Sequence, residues 1–211
     1  MLTHLRPALV LFLLLSLITG VIYPLAVTGF AQFACPAAAN GSLITASDGR
    51  VVGSSLIGQD FSSAEPASAA RWFWSRPSAT GPAPYTSFNA DKATGSSGSN
   101  LAPSNPALVD NIKARIAALA AADSAVGIAR PGSALIPIDL VTSSASGLDP
   151  HISPASAEYQ LTRVAQARHL NPEALRAIVA RHTTGRTFGL LGEPVVSVLE
   201  LNLELNALTS P

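Results

Sequence analysis

The chain has one cysteine, Cys35, two lysines, Lys92 and Lys113, and four histidines scattered along its 211 residues. A lone cysteine excludes an intramolecular disulfide and any thiolate metal cluster, so stability has to come from packing. There is no Gly-x-x-x-x-Gly-Lys-Ser/Thr run to cradle phosphates, no His-Glu-x-x-His to ligate zinc, and no Gly-x-Ser-x-Gly to present a nucleophilic serine. These absences argue against a self-contained nucleotide hydrolase, a zinc hydrolase and an elbow-type serine hydrolase. Excess charge is missing too: 13 basic residues balance 13 acidic ones, which predicts neither nucleic acid nor an acidic lipid surface as partner. The most informative gap is local. No Asp, Glu, Lys or Arg occurs between Arg6 and Asp48.

What fills that gap is an almost wholly apolar run, residues 8–29. About 20 apolar residues at about 1.5 Å rise each cross a hydrocarbon core of about 30 Å, so a single transmembrane helix is predicted over 8–29. Arg6 and His4 precede the run and the next basic residue is Arg50. The positive-inside bias then puts residues 1–7 in the cytoplasm and residues 30–211 outside. A cleaved signal peptide has a shorter apolar region of about 7–15 residues, and Ala31-Gln32-Phe33-Ala34 is a poor cleavage site. Gln32 and Phe33 are likewise unsuitable upstream of a lipoprotein Cys35. Pro24, which removes a helix hydrogen bond, reads as the outer end of the span. Ser16, Thr19 and Gly20 are small enough for another membrane helix to approach closely.

About 175 residues follow the anchor, enough for one domain with a real core. Short strands are expected around Ser42–Ile44 and Arg50–Ile57, and an irregular loop from Ser75 to Asn105. Three helices announce themselves by a capping residue followed by proline: Asn105-Pro106, Ser153-Pro154 and Asn171-Pro172. In the first, Leu108, Ile112, Ile116 and Leu119 recur at helical spacing to about Ala122. In the second, Ala157, Leu161, Val164 and Ala165 share a face that Glu158, Arg163 and Gln166 avoid. In the third, Leu175, Ile178 and Val179 point inward and Thr183-Thr184-Gly185 closes it. Ser133–Thr142 reads as a strand, and so does Leu199–Leu205, where leucine alternates with Glu200, Asn202 and Glu204. The expected fold is therefore mixed α/β: one N-terminal transmembrane helix and one small extracytoplasmic domain.

Few residues offer chemistry. Asp91-Lys92-Ala93-Thr94-Gly95 is close to the phosphorylated motif of ion-pumping ATPases, but an alanine interrupts it and the predicted side of the membrane lacks ATP. Asp149 and His151 sit two apart in a turn-rich run, where a pair of this kind orients a base or closes a turn. Arg71-Trp72-Phe73-Trp74-Ser75-Arg76 gathers both tryptophans with two arginines. Trp72, Trp74 and Arg76 are candidates either for the domain core or for a protein-partner patch.

Several segments in their order resemble the C-subunit family of Kdp-type potassium-transporting ATPases, the KdpC family. They are the single span ending near Tyr23-Pro24, Gly53-Ser54-Ser55-Leu56-Ile57-Gly58-Gln59, Phe73-Trp74-Ser75-Arg76-Pro77-Ser78-Ala79, and Ser97-Gly98-Ser99-Asn100-Leu101 with Pro103-Ser104-Asn105-Pro106. The series continues with residues 141–154, Arg163-Val164-Ala165-Gln166-Ala167-Arg168 and Val198-Leu199-Glu200-Leu201-Asn202-Leu203. The resemblance implies a non-catalytic subunit of a potassium-uptake complex in the bacterial inner membrane, beside an ATP-hydrolysing subunit and a potassium-translocating one. It implies a role in assembly and in raising the ATP affinity of the hydrolysing subunit, as a catalytic chaperone. Ser146, Gly147, Leu148, Asp149 and Gln160 are then the candidates for an ATP effect, exerted indirectly because the domain is expected outside; no bound metal and no nucleic acid are expected. Two alternatives stay open: a membrane-anchored hydrolase using Asp149 and His151, and an exported module that binds potassium through its Ser/Asn/Gly loops.

Overall fold

The structure, a computed structural model, describes residues 4–46, 48–62, 65–91, 94–131 and 135–209. Lys92, Ala93, Ser133 and Ala134, which belong to segments read above, lie outside the described residues. The chain forms two units, Met1–Ser54 and Ser55–Pro211.

In the first unit a helical run of 30 residues, Leu5–Ala34, is long and apolar enough to cross a membrane, and none of its most apolar window is buried by the rest of the chain. It consists of α1 (Leu5–Leu17), a π-helical turn (Ile18–Ile22) and α2 (Tyr23–Ala34). Pro24 does not end the span as expected. The wider π turn lies just before it, and Tyr23 N–H bonds the Ile18 carbonyl. A wider turn relieves the contact between a proline ring and the carbonyl four residues earlier, and helix resumes to Ala34. Thr19 Oγ1 donates to the Leu15 carbonyl at 2.7 Å, which satisfies its hydroxyl within the helix. After the short α3 (Pro36–Ala39), β1 (Leu43–Thr45) and β2 (Val51–Ser54) form an antiparallel hairpin.

The second unit is the small mixed α/β domain. It comprises α4 (Pro66–Ala69), the hairpin β3 (Phe88–Asn89) and β4 (Thr94–Gly95), α5 (Pro106–Ser124), β5 (His151–Ile152), α6 (Pro154–Arg168), α7 (Pro172–Arg181), β6 (Thr183–Thr184), β7 (Val195–Ser197) and α8 (Val198–Thr209). The caps act as their residue types predict. Asn105 Oδ1 accepts from Ala107 N–H at 3.0 Å, Ser153 Oγ from Ser156 N–H at 3.1 Å and Asn171 Oδ1 from Glu173 N–H at 2.8 Å. β7 lies between β5 and β6 in an antiparallel sheet, pairing Ile152 and Thr183 with Val196.

Two expected strands take other forms. Of Ser133–Thr142, the described part makes a 3-10 turn at Ile138–Leu140 after Pro137; Leu135 and Ile138 stay 92% and 70% exposed, and only Leu140 and Val141, adjacent at its end, are buried, which is not the alternation of a strand. Leu199–Leu205 belongs to helix α8. Its buried stripe is Val198, Leu201, Asn202 and Leu205, spaced three, four and seven from the first, and one member is polar. Similarly Arg163, expected on the solvent side of α6, is fully buried.

The core has two clusters. One gathers Phe73, Ile152, Leu161, Val164, Leu175, Val196 and Leu201; the other gathers Trp74, Leu119, Ala122, Leu140 and Val141. Phe73 and Trp74, adjacent in sequence, go to different clusters, as successive side chains of an extended chain do. The segment carrying them runs through the middle of the domain.

Candidate functional site

Segment 71–76 is not part of any sheet among the described residues, so its backbone groups need other partners. Helical side chains supply them. Phe73 N–H donates to Asn202 Oδ1 at 3.0 Å and its carbonyl accepts from Asn202 Nδ2 at 2.9 Å. Trp74 N–H donates to Gln160 Oε1 at 2.7 Å and its carbonyl accepts from Gln160 Nε2 at 3.1 Å. The carbonyls of Arg71, Trp72 and Ser75 accept from Arg168 Nε, Arg163 Nη2 and Arg115 Nη2 at 2.6, 3.0 and 2.8 Å.

The same guanidiniums pack on the tryptophans: Arg115 and Arg163 each lie 4.7 Å from the Trp74 ring centroid, and Arg168 lies 4.4 Å from that of Trp72. Burial pushes Arg163 and Arg168 down to about 10 and also lowers Arg115. Trp74 is thus a core residue with 1% exposure and offers no surface to a partner in this fold, while Trp72 is half-buried.

Arg76, at the end of this segment, reaches the surface beside the candidate loop. Its Nη2 donates to the Ser143 carbonyl at 3.1 Å and its Nη1 stands 3.4 Å from Asp149 Oδ2. Asp149 Oδ1 accepts from the backbone N–H of His151 at 3.0 Å, whereas the His151 ring nitrogen Nδ1 is 3.7 Å away. The carboxylate therefore closes a turn and an ion pair, and its contact with the imidazole is longer than a hydrogen bond.

The loop itself is knitted to three others. The Ser146 carbonyl accepts from Ser97 N–H at 2.8 Å and Ser96 Oγ at 3.0 Å, the Gly147 carbonyl from Ser78 Oγ at 2.7 Å, and the Leu148 carbonyl from Gly58 N–H at 2.9 Å. Approach is close enough that glycine is required. A Cβ on Gly147, which has φ +68°, would stand 2.5 Å from the Ser97 carbonyl oxygen; one on Gly58 would stand 2.5 Å from the Tyr85 ring and 2.7 Å from the Asp149 carbonyl oxygen. Tyr85 locks the junction by donating its phenol to the Arg76 carbonyl at 2.6 Å. Four of the segments singled out in the sequence thus meet at one place.

Two open clefts share the Arg76–Asp149 pair. One, of about 550 Å³, is lined by Leu56, Ala145, Ser146, Leu148 and Pro150; the other, of about 480 Å³, by Ile138, Asp139, His151, Ser153 and Glu193. Ser146, Leu148 and Asp149 therefore line a common cleft, and Gly147 shapes the loop beneath it. Gln160 lines neither: it is fully buried and its amide is spent on Trp74 and Arg163. Arg76 belongs with this loop, which its sequence position seventy residues upstream did not indicate. Among the described residues no group of three or more His, Cys, Asp or Glu side chains is placed to hold a metal ion. Ser16, Thr19 and Gly20 are all exposed on the apolar helix.

Comparison with known proteins places these features in a family context. Residues 5–207 match the family described as KdpC, the K+-transporting ATPase c chain. The potassium-transporting ATPase KdpC subunit of Dechloromonas aromatica strain RCB is 56% identical over 208 residues, covering 98% of each chain. That of Sorangium cellulosum strain So ce56 is 56% identical over 206 residues, again 98% of each. The Ralstonia nicotianae protein of the same name is 57% identical over 204 residues, 97% of this chain and 91% of its own.

Proposed function

Because this chain belongs to the KdpC family of K+-transporting ATPase c chains, we propose that it is the accessory, non-catalytic subunit of an ATP-driven potassium-uptake complex in the bacterial inner membrane. In this reading it supports assembly and raises the ATP affinity of the hydrolysing subunit as a catalytic chaperone. The observation that carries the proposal is the helical run Leu5–Ala34, long and apolar enough to cross a membrane, whose most apolar stretch is left uncovered by the rest of the chain. At about 1.5 Å per residue it exceeds the roughly 30 Å hydrocarbon core. Lipid or neighbouring spans must cover it. Ser16, Thr19 and Gly20, spaced three and four apart, give one face where a span of the potassium-translocating or ATP-hydrolysing subunit can pack closely.

Arg6 before the run and Arg50 after it favour an extracytoplasmic domain. ATP then reaches only the hydrolysing subunit, and the cleft formed by Ser146, Leu148 and Asp149 acts on nucleotide affinity through subunit contacts. The test is co-purification through a tag on this chain in mild detergent, with companions identified by mass and the KM for ATP measured with and without the chain. Companions of ATPase and translocating type, and a KM that rises when the chain is removed, are expected; recovery of the chain alone overturns the reading. Orientation is checked on Cys35, which is exposed, with Ser97→Cys as a second position. Labelling of intact cells by an impermeant maleimide is expected, and protection of both positions overturns the outside assignment.

A further inference from the structure

Segment 186–193 leaves the domain after β6 and returns into β7. Its base is closed by Arg186 Nη2, which donates to both carboxylate oxygens of Glu193 at 2.8 and 2.7 Å. Inside that pair Thr187 and Leu191 exchange backbone hydrogen bonds, Thr187 N–H to the Leu191 carbonyl at 2.8 Å and the reverse at 3.0 Å. The turn this stem closes is apolar and stands in solvent: Phe188 is 90% exposed, Leu190 78% and Leu191, at the stem itself, 65%. Phe188 also has φ +54°, a left-handed conformation that residues with a Cβ avoid. Tyr85 shares that conformation at φ +61°, but its ring packs on Gly58 and its phenol bonds the Arg76 carbonyl. Phe188 has no comparable packing. A backbone strained to hold an aromatic outward, behind a doubly closed stem, indicates a binding element.

We propose that this finger docks into an uncharged apolar recess on a companion subunit of the transport complex, with Phe188 as the anchor and Leu190 and Leu191 beside it. The proposal rests on the subunit reading above. Two features select a protein over lipid. The closed stem and left-handed turn fix the geometry of the tip in advance, which favours a shaped pocket and gives no advantage at a fluid bilayer surface. The finger also has no net charge, because Arg186 and Glu193 neutralise each other, and so lacks the surplus Lys and Arg by which interfacial segments engage anionic headgroups. Neutrality complements a recess that is itself uncharged, since a charge there would be desolvated without a partner. An aromatic anchor in a desolvated pocket is the usual hot spot of such a contact.

The experiment uses the tagged full-length chain, co-expressed with its companions and extracted in mild detergent. The double variant Phe188→Ser, Leu190→Ser is expected to lose companion yield by about tenfold or more, with thermal unfolding unchanged because both side chains are exposed. Phe88→Ser, which removes another exposed aromatic at 71%, is expected to retain it. Undiminished yield from the double variant, or an equal loss from Phe88→Ser, overturns the inference. Absence of companions from the unmutated chain overturns the subunit reading instead. A photo-crosslinking amino acid at Leu190 is expected to capture a companion protein; adducts confined to lipid would show that the bilayer, and not a subunit, receives the finger, and would overturn the proposal.

Discussion

The side chain of Gln160 forms a two-bond ring with the backbone of Trp74, its Oε1 accepting from the N–H at 2.7 Å and its Nε2 donating to the carbonyl at 3.1 Å. A helix side chain here does what a neighbouring strand would otherwise do. Removing it strands a buried donor and a buried acceptor, at about 1–3 kcal/mol each. Gln160→Ala is therefore expected to destabilise the domain by about 3 kcal/mol. Urea unfolding of the full chain in detergent, followed by the fluorescence of Trp72 and Trp74, checks this. An unchanged midpoint would contradict the structural role.

The loop junction depends on two glycines. Gly147→Ala places a Cβ 2.5 Å from the Ser97 carbonyl oxygen at a positive φ, and Gly58→Ala meets Tyr85 and the Asp149 carbonyl. Each is expected to cost more than about 2 kcal/mol and to reduce incorporation into the complex. Gly185→Ala, where nothing lies within 4 Å, is expected to change stability by less than about 0.5 kcal/mol. The same unfolding assay ranks the three.

Burial pushes the Tyr85 phenol up to about 12 from an ordinary 10.0. The folded state favours the neutral phenol, so its contribution is complete below the ordinary value and disappears as pH rises through about 12. Stability is expected to fall across that alkaline window. Ultraviolet difference titration should show late-ionising tyrosine, and Tyr85→Phe should remove its latest part, leaving that of Tyr159, whose phenol is also raised by burial. A Tyr85 that ionises at the ordinary phenol value would contradict the packing around Gly58.

On the acid side, Arg181 and His182 hold the Glu204 carboxyl below its ordinary value, the His182 Nε2 lying 2.6 Å from Glu204 Oε2. A lowered carboxyl contributes stability above the unfolded value and loses it as pH falls through the folded one. Because the group is partly solvated, Glu204→Gln is expected to cost under about 1 kcal/mol at neutral pH. The difference from the unmutated chain should shrink as pH falls below the ordinary carboxyl value and close once it is below the lowered one. Equal differences at pH 7 and in acid would exclude this ion pair as the cause.

Features that depend on local chemistry are legible in the order of residues alone. The charge-free apolar run demands a helix out of water, and Asn105-Pro106, Ser153-Pro154 and Asn171-Pro172 start helices at those residues because the cap oxygen and the missing N–H act within a few positions. Where the polar side chains go is set by the packing of the whole domain. By polarity alone Asn202 reads as a solvent residue and Leu199–Leu205 as an alternating strand; with Asn202 bonded to Phe73, the helical stripe of Val198, Leu201, Asn202 and Leu205 is continuous. Arg163 and Gln160 hid their inward face of α6 in the same way. Hydrophobic periodicity cannot register a polar group whose partner is a backbone more than eighty residues away. For the same reason, the pairing of Arg76 with Asp149 and of Gln160 with Trp74 depends on the passage of the irregular 71–76 segment through the core. Its unpaired peptide groups required those side chains, and that requirement is set by the whole fold.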